Sequence, residues 1–198
     1  MVPEVTKRVA AMSATARIGV LAALVLGVEY GRILLARTPG LAAIALLGGG
    51  LALCVVAVAS CSARELGLGA ILARSPRRLV GPVLGGLAIG VVLLLPAAAR
   101  WQGGPALSAP WALAAIAVSV GEEVAFRGAL FAVVERQFGG AVAVVATTLL
   151  WTAAHVLSHP APFLVPVMAA GLLLGLWRWA CRDLVAPIIG HVLADLAL

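Results

Sequence analysis

Apolar residues lie along this chain in long uninterrupted blocks: about 18 to 36, 41 to 60, 80 to 99, 111 to 134, 140 to 157, 163 to 180 and 184 to 198. No stretch alternates apolar and polar residues between turn signals, which excludes a β-barrel. A block of about 18 residues or more has the length of a helix crossing a hydrocarbon core about 30 Å thick. Helices also satisfy their own backbone N–H and C=O groups in lipid. The pattern therefore predicts an all-α fold, a polytopic transmembrane helical bundle of about seven membrane segments, forming one domain over residues 1–198. The last block, 15 residues long, reaches roughly 22 Å at the helical rise of about 1.5 Å per residue and stops short of the far boundary.

The longest polar interruption runs from Cys61 to Leu79, where Arg64, Glu65, Arg74, Arg77 and Arg78 surround Leu66, Leu68, Ile71 and Leu72. A short helix lying on the membrane surface fits that pattern, and a plain loop fits it equally well. The runs Gly48-Gly49-Gly50 and Gly85-Gly86 read as close helix contacts.

Composition strengthens the membrane reading. With 63% hydrophobic residues, 11% charged residues and a mean hydropathy of +1.13, the chain lacks the polar surface a soluble globule needs. The net charge of +6 comes from scattered short clusters, with no basic face for nucleic acid. Cys54, Cys61 and Cys181 show no paired spacing and take no redox or metal role. Lys7, Arg8 and Arg17 precede the first block without a small-residue cleavage site, so it reads as a retained helix.

Loop charge sets the expected orientation. A cytoplasmic N-terminus puts Lys7, Arg8, Arg17, Arg64, Arg74, Arg77, Arg78, Arg136, Arg178 and Arg182 on the inner side, and Arg32, Arg37 and Arg100 toward the outer side. The segment 103–110 and the run 158–162 then form outer turns. The Ala, Gly and Arg bias points to a bacterial inner membrane. Trp101, Trp111, Trp177 and Trp179, near segment ends, read as interfacial anchors.

Three charges break the fourth block: Glu122, Glu123 and Arg127. Each costs roughly 2.5 to 3.5 kcal/mol at a helix centre unless paired, protonated or wet, so function is the default reading. Glu123 and Arg127, four apart, share a helical face and neutralise each other. Glu122 points about 100° away and has no partner in its own helix, which suits it to general acid–base work. The fifth block adds Trp151 and His155, four apart, and the seventh adds His191 and Asp195 at the same spacing. Counted along the helical rise, Glu122 and Asp195 lie about 18 Å from the inner boundary, His191 about 12 Å and His155 about 23 Å, within one slab. A glutamate, two histidines and an aspartate can thus face one cavity and activate water. Glu29 and Arg32, three apart in the first block, read as a structural or interfacial ion pair, with a substrate contact as the alternative. His159, beside Pro160, reads as interfacial.

Glu-Glu-x-x-x-Arg, an aromatic residue four before His, and His-x-x-x-Asp on successive apolar helices resemble the three motifs of the CPBP intramembrane proteases. That family includes the type II CAAX prenyl endopeptidases and the bacterial Abi proteins. The resemblance covers roughly residues 111 to 198, the expected catalytic core, and Gly171–Gly175 through Ala186–His191 is similar to the family's approach to its last motif. It implies that Glu122 activates water with His155, that His191 and Asp195 support the oxyanion or the substrate carbonyl, and that Glu123, Arg127 and Trp151 shape the site. Trp151 stands where phenylalanine is common and Asp195 where asparagine is commoner. An ionised aspartate accepts hydrogen bonds and donates none.

The expected activity is intramembrane endopeptidase action on a membrane-associated peptide or protein, with membrane lipid as the surroundings and nucleic acid as no partner. No cofactor is expected. Zinc held by His155, His191 and Glu122 is the rival account, although no His-Glu-x-x-His helix is present. Two other readings stand beside the enzyme: a catalytically silent scaffold or bacteriocin-immunity partner, and a proton-coupled transporter.

Overall fold

The computed structural model describes residues 13–72, 75–98 and 107–197. Lys7, Arg8, Arg74, Arg100, Trp101 and residues 103–106 of the expected outer turn lie outside the described residues. The expected blocks appear as helices. They are α1 (Ala14–Ala36), α2 (Ala42–Ser60), α3 (Pro76–Ala98), α4 (Ala109–Glu122) continued by a π-helical segment (Glu123–Leu130) and α5 (Phe131–Phe138), α6 (Gly140–Ala154), α7 (Leu164–Cys181) and α8 (Val185–Ala197). No strand occurs among the described residues.

Among the described residues four helices are long and apolar enough to cross a membrane, within Ala14–Ala36, Ala42–Ser60, Pro76–Leu95 and Ala161–Cys181. The polarity of the bundle is that of a protein solvated by lipid. Leu24, Ile44, Leu84, Leu95 and Val165 are exposed on its outside, while Glu29, Glu122, Glu123, Arg127 and Arg178 are buried. The chain is an integral membrane protein.

Glycines set how closely the helices cross. A Cβ on Gly121 of α4 would meet the backbone of Gly50 in α2, and one on Gly50 would meet the backbone of Ala117. These two helices therefore touch backbone to backbone beside Glu122. On the other side α8 lies along α3, where a Cβ on Gly86 would fall 2.6 Å from Ile189 Cβ and one on Gly90 would fall 2.7 Å from a Leu193 methyl. Both contacts follow the small-residue packing of helices in lipid, which lacks a hydrophobic drive between helices. Gly48 has open space around it and takes no part.

The polar interruption resolves into turns over 63–67 and a single helical turn, Gly69–Leu72. It thus mixes the two expected forms. Glu65 accepts from the Ser62 backbone N–H and hydroxyl, both at 2.8 Å, and pairs with Arg136. Ser62 holds the Glu65 carboxyl below its ordinary range. Arg178, read from the sequence only as a cytoplasmic charge, is buried instead. It donates from Nε to the Arg127 carbonyl at 3.0 Å and from Nη2 to the Glu65 carbonyl at 2.8 Å, stapling α7 to the turn and to the π segment. Gly67, at φ 84°, turns the backbone where a side chain would strike that guanidinium. Trp177 packs across Gly85 rather than serving only as an anchor, whereas Trp111 and Trp179 are exposed. The three cysteines are free thiols.

Candidate active site

Glu122 closes α4 and is 1% exposed, yet both of its oxygens have partners. Trp151 Nε1 on α6 donates to Oε2, and Arg32 Nη2 on α1 donates to Oε1. Arg32 is itself held by Glu29, whose Oε2 accepts from Nε at 3.0 Å and from Nη2 at 2.6 Å. The expected Glu29–Arg32 pair is present and has a further partner. The guanidinium bridges two carboxylates, and the second is Glu122.

Several contacts fix Arg32 in that position. The Tyr30 hydroxyl donates to the Ala153 carbonyl at 2.9 Å, and Arg37 Nη2 donates to the Leu157 carbonyl at 2.7 Å, tying the end of α1 to the end of α6. On α2, a Cβ at Gly49 would sit 2.6 Å from Arg32 Cβ, so glycine lets the arginine stem pass.

Beyond Glu122 the helix widens into the π segment, all eight of whose residues are buried. This corrects the α-helical geometry assumed from spacing. The pairing survives: Arg127 Nη1 donates to Glu123 Oε1 at 2.9 Å. Arg127 also lies over the Trp151 ring, 4.2 Å from its centroid. Widened turns of this kind are uncommon and concentrate at functional sites.

α8 brings His191 and Asp195. His191 Nδ1 lies 2.9 Å from Glu123 Oε1, and Nε2 lies 3.6 Å from Asp195 Oδ2. The Ser119 hydroxyl is 2.7 Å from the same Asp195 oxygen. On α6, His155 Nδ1 is 2.8 Å from the Trp151 carbonyl. A carbonyl only accepts, so Nδ1 carries the proton and Nε2 is left with its lone pair in the neutral ring. The rings of Trp151, His155, His159 and Phe163 follow one another at centroid distances of 4.7, 5.4 and 4.6 Å.

These side chains surround a partly open cavity of about 250 Å³, lined by Arg32, Glu122, His155, His159, His191 and Asp195 among others. The four residues expected to do chemistry thus meet at one space, and Glu123, Arg127 and Trp151 stand behind it. Burial, and then the neighbouring His155, push the His159 imidazole below its ordinary range, against the opposing pull of Glu122 and Asp195.

Among the described residues no three His, Cys, Asp or Glu side chains are grouped to hold a metal ion. The site is poorly matched to zinc in charge. Trp151 and Arg32 each donate to a Glu122 oxygen, and a dication placed there would face the Arg32 guanidinium.

Residues 104–197 match the family model described as type II CAAX prenyl endopeptidase Rce1-like. Through this stretch, a little under half of the chain, the sequence is similar to that family. The match implies a membrane protease, a hydrolase of peptide bonds acting on a membrane-associated peptide. No curated protein and no solved structure matches the chain.

The Rce1-like stretch does not contain all of the site. Glu29 and Arg32 precede it by some seventy residues, and they reach Glu122 only through helix packing. Their signal in the sequence was the cost of charge in lipid, the same one that exposed Glu122. Ser119 and His159 were also missed as site residues. Ser119 looks like any small residue of an apolar helix, while His159 shows its role through the four-residue spacing from His155.

Proposed function

We propose that this Rce1-like protein hydrolyses a peptide bond of a membrane-associated peptide or protein, using a water activated by Glu122 and His155. The observation that supports it is convergence: α4, α6 and α8 aim Glu122, His155, His191 and Asp195 into one cavity. Each Glu122 oxygen keeps a second lone pair beside those taken by Trp151 and Arg32, so the carboxylate can still bind a water and accept its proton. His155 Nε2 faces the cavity as a second acceptor, with its tautomer fixed by the Trp151 carbonyl. Glu123, shared by Arg127 and His191, holds α8 against α4. The reading includes no metal step, because a dication at Glu122 would face the Arg32 guanidinium.

The substrate proposed is a peptide or protein segment presented from the bilayer, prenylated CAAX ends being one branch. The N-terminus is placed in the cytoplasm and the protein in a bacterial inner membrane, as loop charge and composition favour. One domain over 1–198 accords with Arg32 completing a site otherwise built from residues after 104.

The test is cleavage of a fluorogenic farnesylated CAAX peptide by the purified protein in detergent. Glu122→Gln and His155→Ala are expected to remain folded and to lose at least about 100-fold in rate, the scale of general base catalysis. Cleavage rates that survive both substitutions would overturn the roles given to Glu122 and His155, and a cellular function that survives both would favour the silent scaffold.

A further inference from the structure

Attack of water on an amide drives a negative charge onto the former carbonyl oxygen, and each donor aimed at that oxygen is worth roughly 100- to 1,000-fold in rate. The cavity is poor in such donors. Glu122 and Asp195 accept when ionised. His155 uses its Nδ1 proton on the Trp151 carbonyl, and Ser119 lies against Asp195. His191 gives Nδ1 to Glu123, and its Nε2 faces Asp195. The aspartate, standing where an asparagine amide would donate, takes the part of an acceptor instead.

Arg32 has what the cavity lacks. Its Nε and Nη2 are engaged by Glu29 and Glu122, and its Nη1 makes no hydrogen bond to any described residue. The side chain is 9% exposed and lines the cavity. A guanidinium is planar and rigid, so gripping its Nε–Nη2 edge fixes where Nη1 points. Nη1 also shares a carbon with Nη2, which places it beside the carboxylate expected to hold the water. A purely structural bridge between α1 and α4 would need Nη2 alone, and Nη1, which is not among the buried unpaired atoms, is left open to a ligand in the cavity.

We infer that Arg32 is a catalytic residue whose Nη1 donates to the carbonyl oxygen of the scissile amide and to the oxyanion that replaces it, with Glu29 as its positioning residue. The inference rests on reading Glu122 as the base. As the water oxygen bonds to the carbonyl carbon, Glu122 takes one of its protons and the C=O π pair moves onto oxygen, opposite Arg32. When that pair returns, the C–N bond breaks and the proton held by Glu122 passes to the leaving nitrogen.

The experiment compares Arg32→Lys and Arg32→Gln with wild type, using the same farnesylated peptide and a peptidyl aldehyde whose hydrate mimics the tetrahedral intermediate. Lysine keeps a cation for Glu122 and removes the second donor head, which guards against a variant that merely misfolds. Arg32→Lys is expected to lower kcat about 100-fold, with KM within about threefold of wild type. Its affinity for the aldehyde is expected to fall by a similar factor, while affinity for the uncleaved peptide stays constant. A kcat within about fivefold of wild type, or equal losses for aldehyde and peptide, overturns the inference. Glu122→Gln separates the two readings: if it still cleaves, the base assignment fails, and if it is inactive while Arg32→Lys cleaves, only Arg32 is wrong.

Discussion

His191 Nδ1 sits 2.9 Å from Glu123 Oε1, the same oxygen that accepts from Arg127 Nη1. One carboxylate thus ties α8 to the π segment and balances a guanidinium that is fully buried. Glu123→Ala leaves that guanidinium uncompensated. The expected cost is about 3–5 kcal/mol, read as a lowered thermal unfolding midpoint in detergent, together with lost activity because His191 is released. An unchanged midpoint would mean that Arg127 finds another counter-charge.

Trp151 acts twice, as a ring under Arg127 and as an N–H donor to Glu122. Trp151→Phe keeps a ring and removes the donor. A hydrogen bond to a charged group is worth about 1.5–3 kcal/mol, so kcat is expected to fall roughly 10- to 100-fold while the unfolding midpoint shifts little. A large fall in midpoint with kcat retained would assign the residue to packing alone.

Neighbouring glycines should respond in opposite directions. Gly48 faces open space, whereas Gly50 meets the backbone of Ala117. Gly48→Ala is expected to be neutral or to stabilise α2 by up to about 1 kcal/mol, since alanine restricts the unfolded chain. Gly50→Ala must push α2 from α4, with a cost of about 1–3 kcal/mol typical of overpacking. It also draws Arg32 from Glu122, so activity should fall further than stability. Similar midpoints for the two variants would refute the crossing.

The His159 imidazole is held below its ordinary range by burial and by His155. The unfolded chain therefore binds a proton at this position at a higher pH than the folded chain does. Stability from the neutral ring is complete above the unfolded value near pH 6.5 and is lost as pH falls through the folded one. Unfolding midpoints should decline below about pH 6.5, and His159→Gln should flatten that decline. Parallel acid limbs in both proteins would place the titration elsewhere.

Patterns confined to one helix were legible. The seven blocks, the Glu123–Arg127 pair and the Trp151–His155 step all follow from spacing along a single element, and the structure places them accordingly. What spacing hid were relations between helices. Glu29 and Arg32 neutralise each other on paper at i and i+3, which conceals that Arg32 has a second face for Glu122, ninety residues away. Arg178 looked like a loop cation because its partners are backbone carbonyls, and carbonyls carry no residue identity. The π segment left no mark either, because an i+5 turn and an i+4 turn bury the same apolar composition.

The cavity lining includes Ala36, about one helical turn beyond Arg32, and the exposed Ser158, where α1 ends and the turn after α6 lies. Such a site is lopsided with respect to the bilayer. Under the proposed cleavage, a cut made here would leave a short stub free to diffuse into water on that side and a long remainder still dissolved in lipid, so the two products would part by solvent alone.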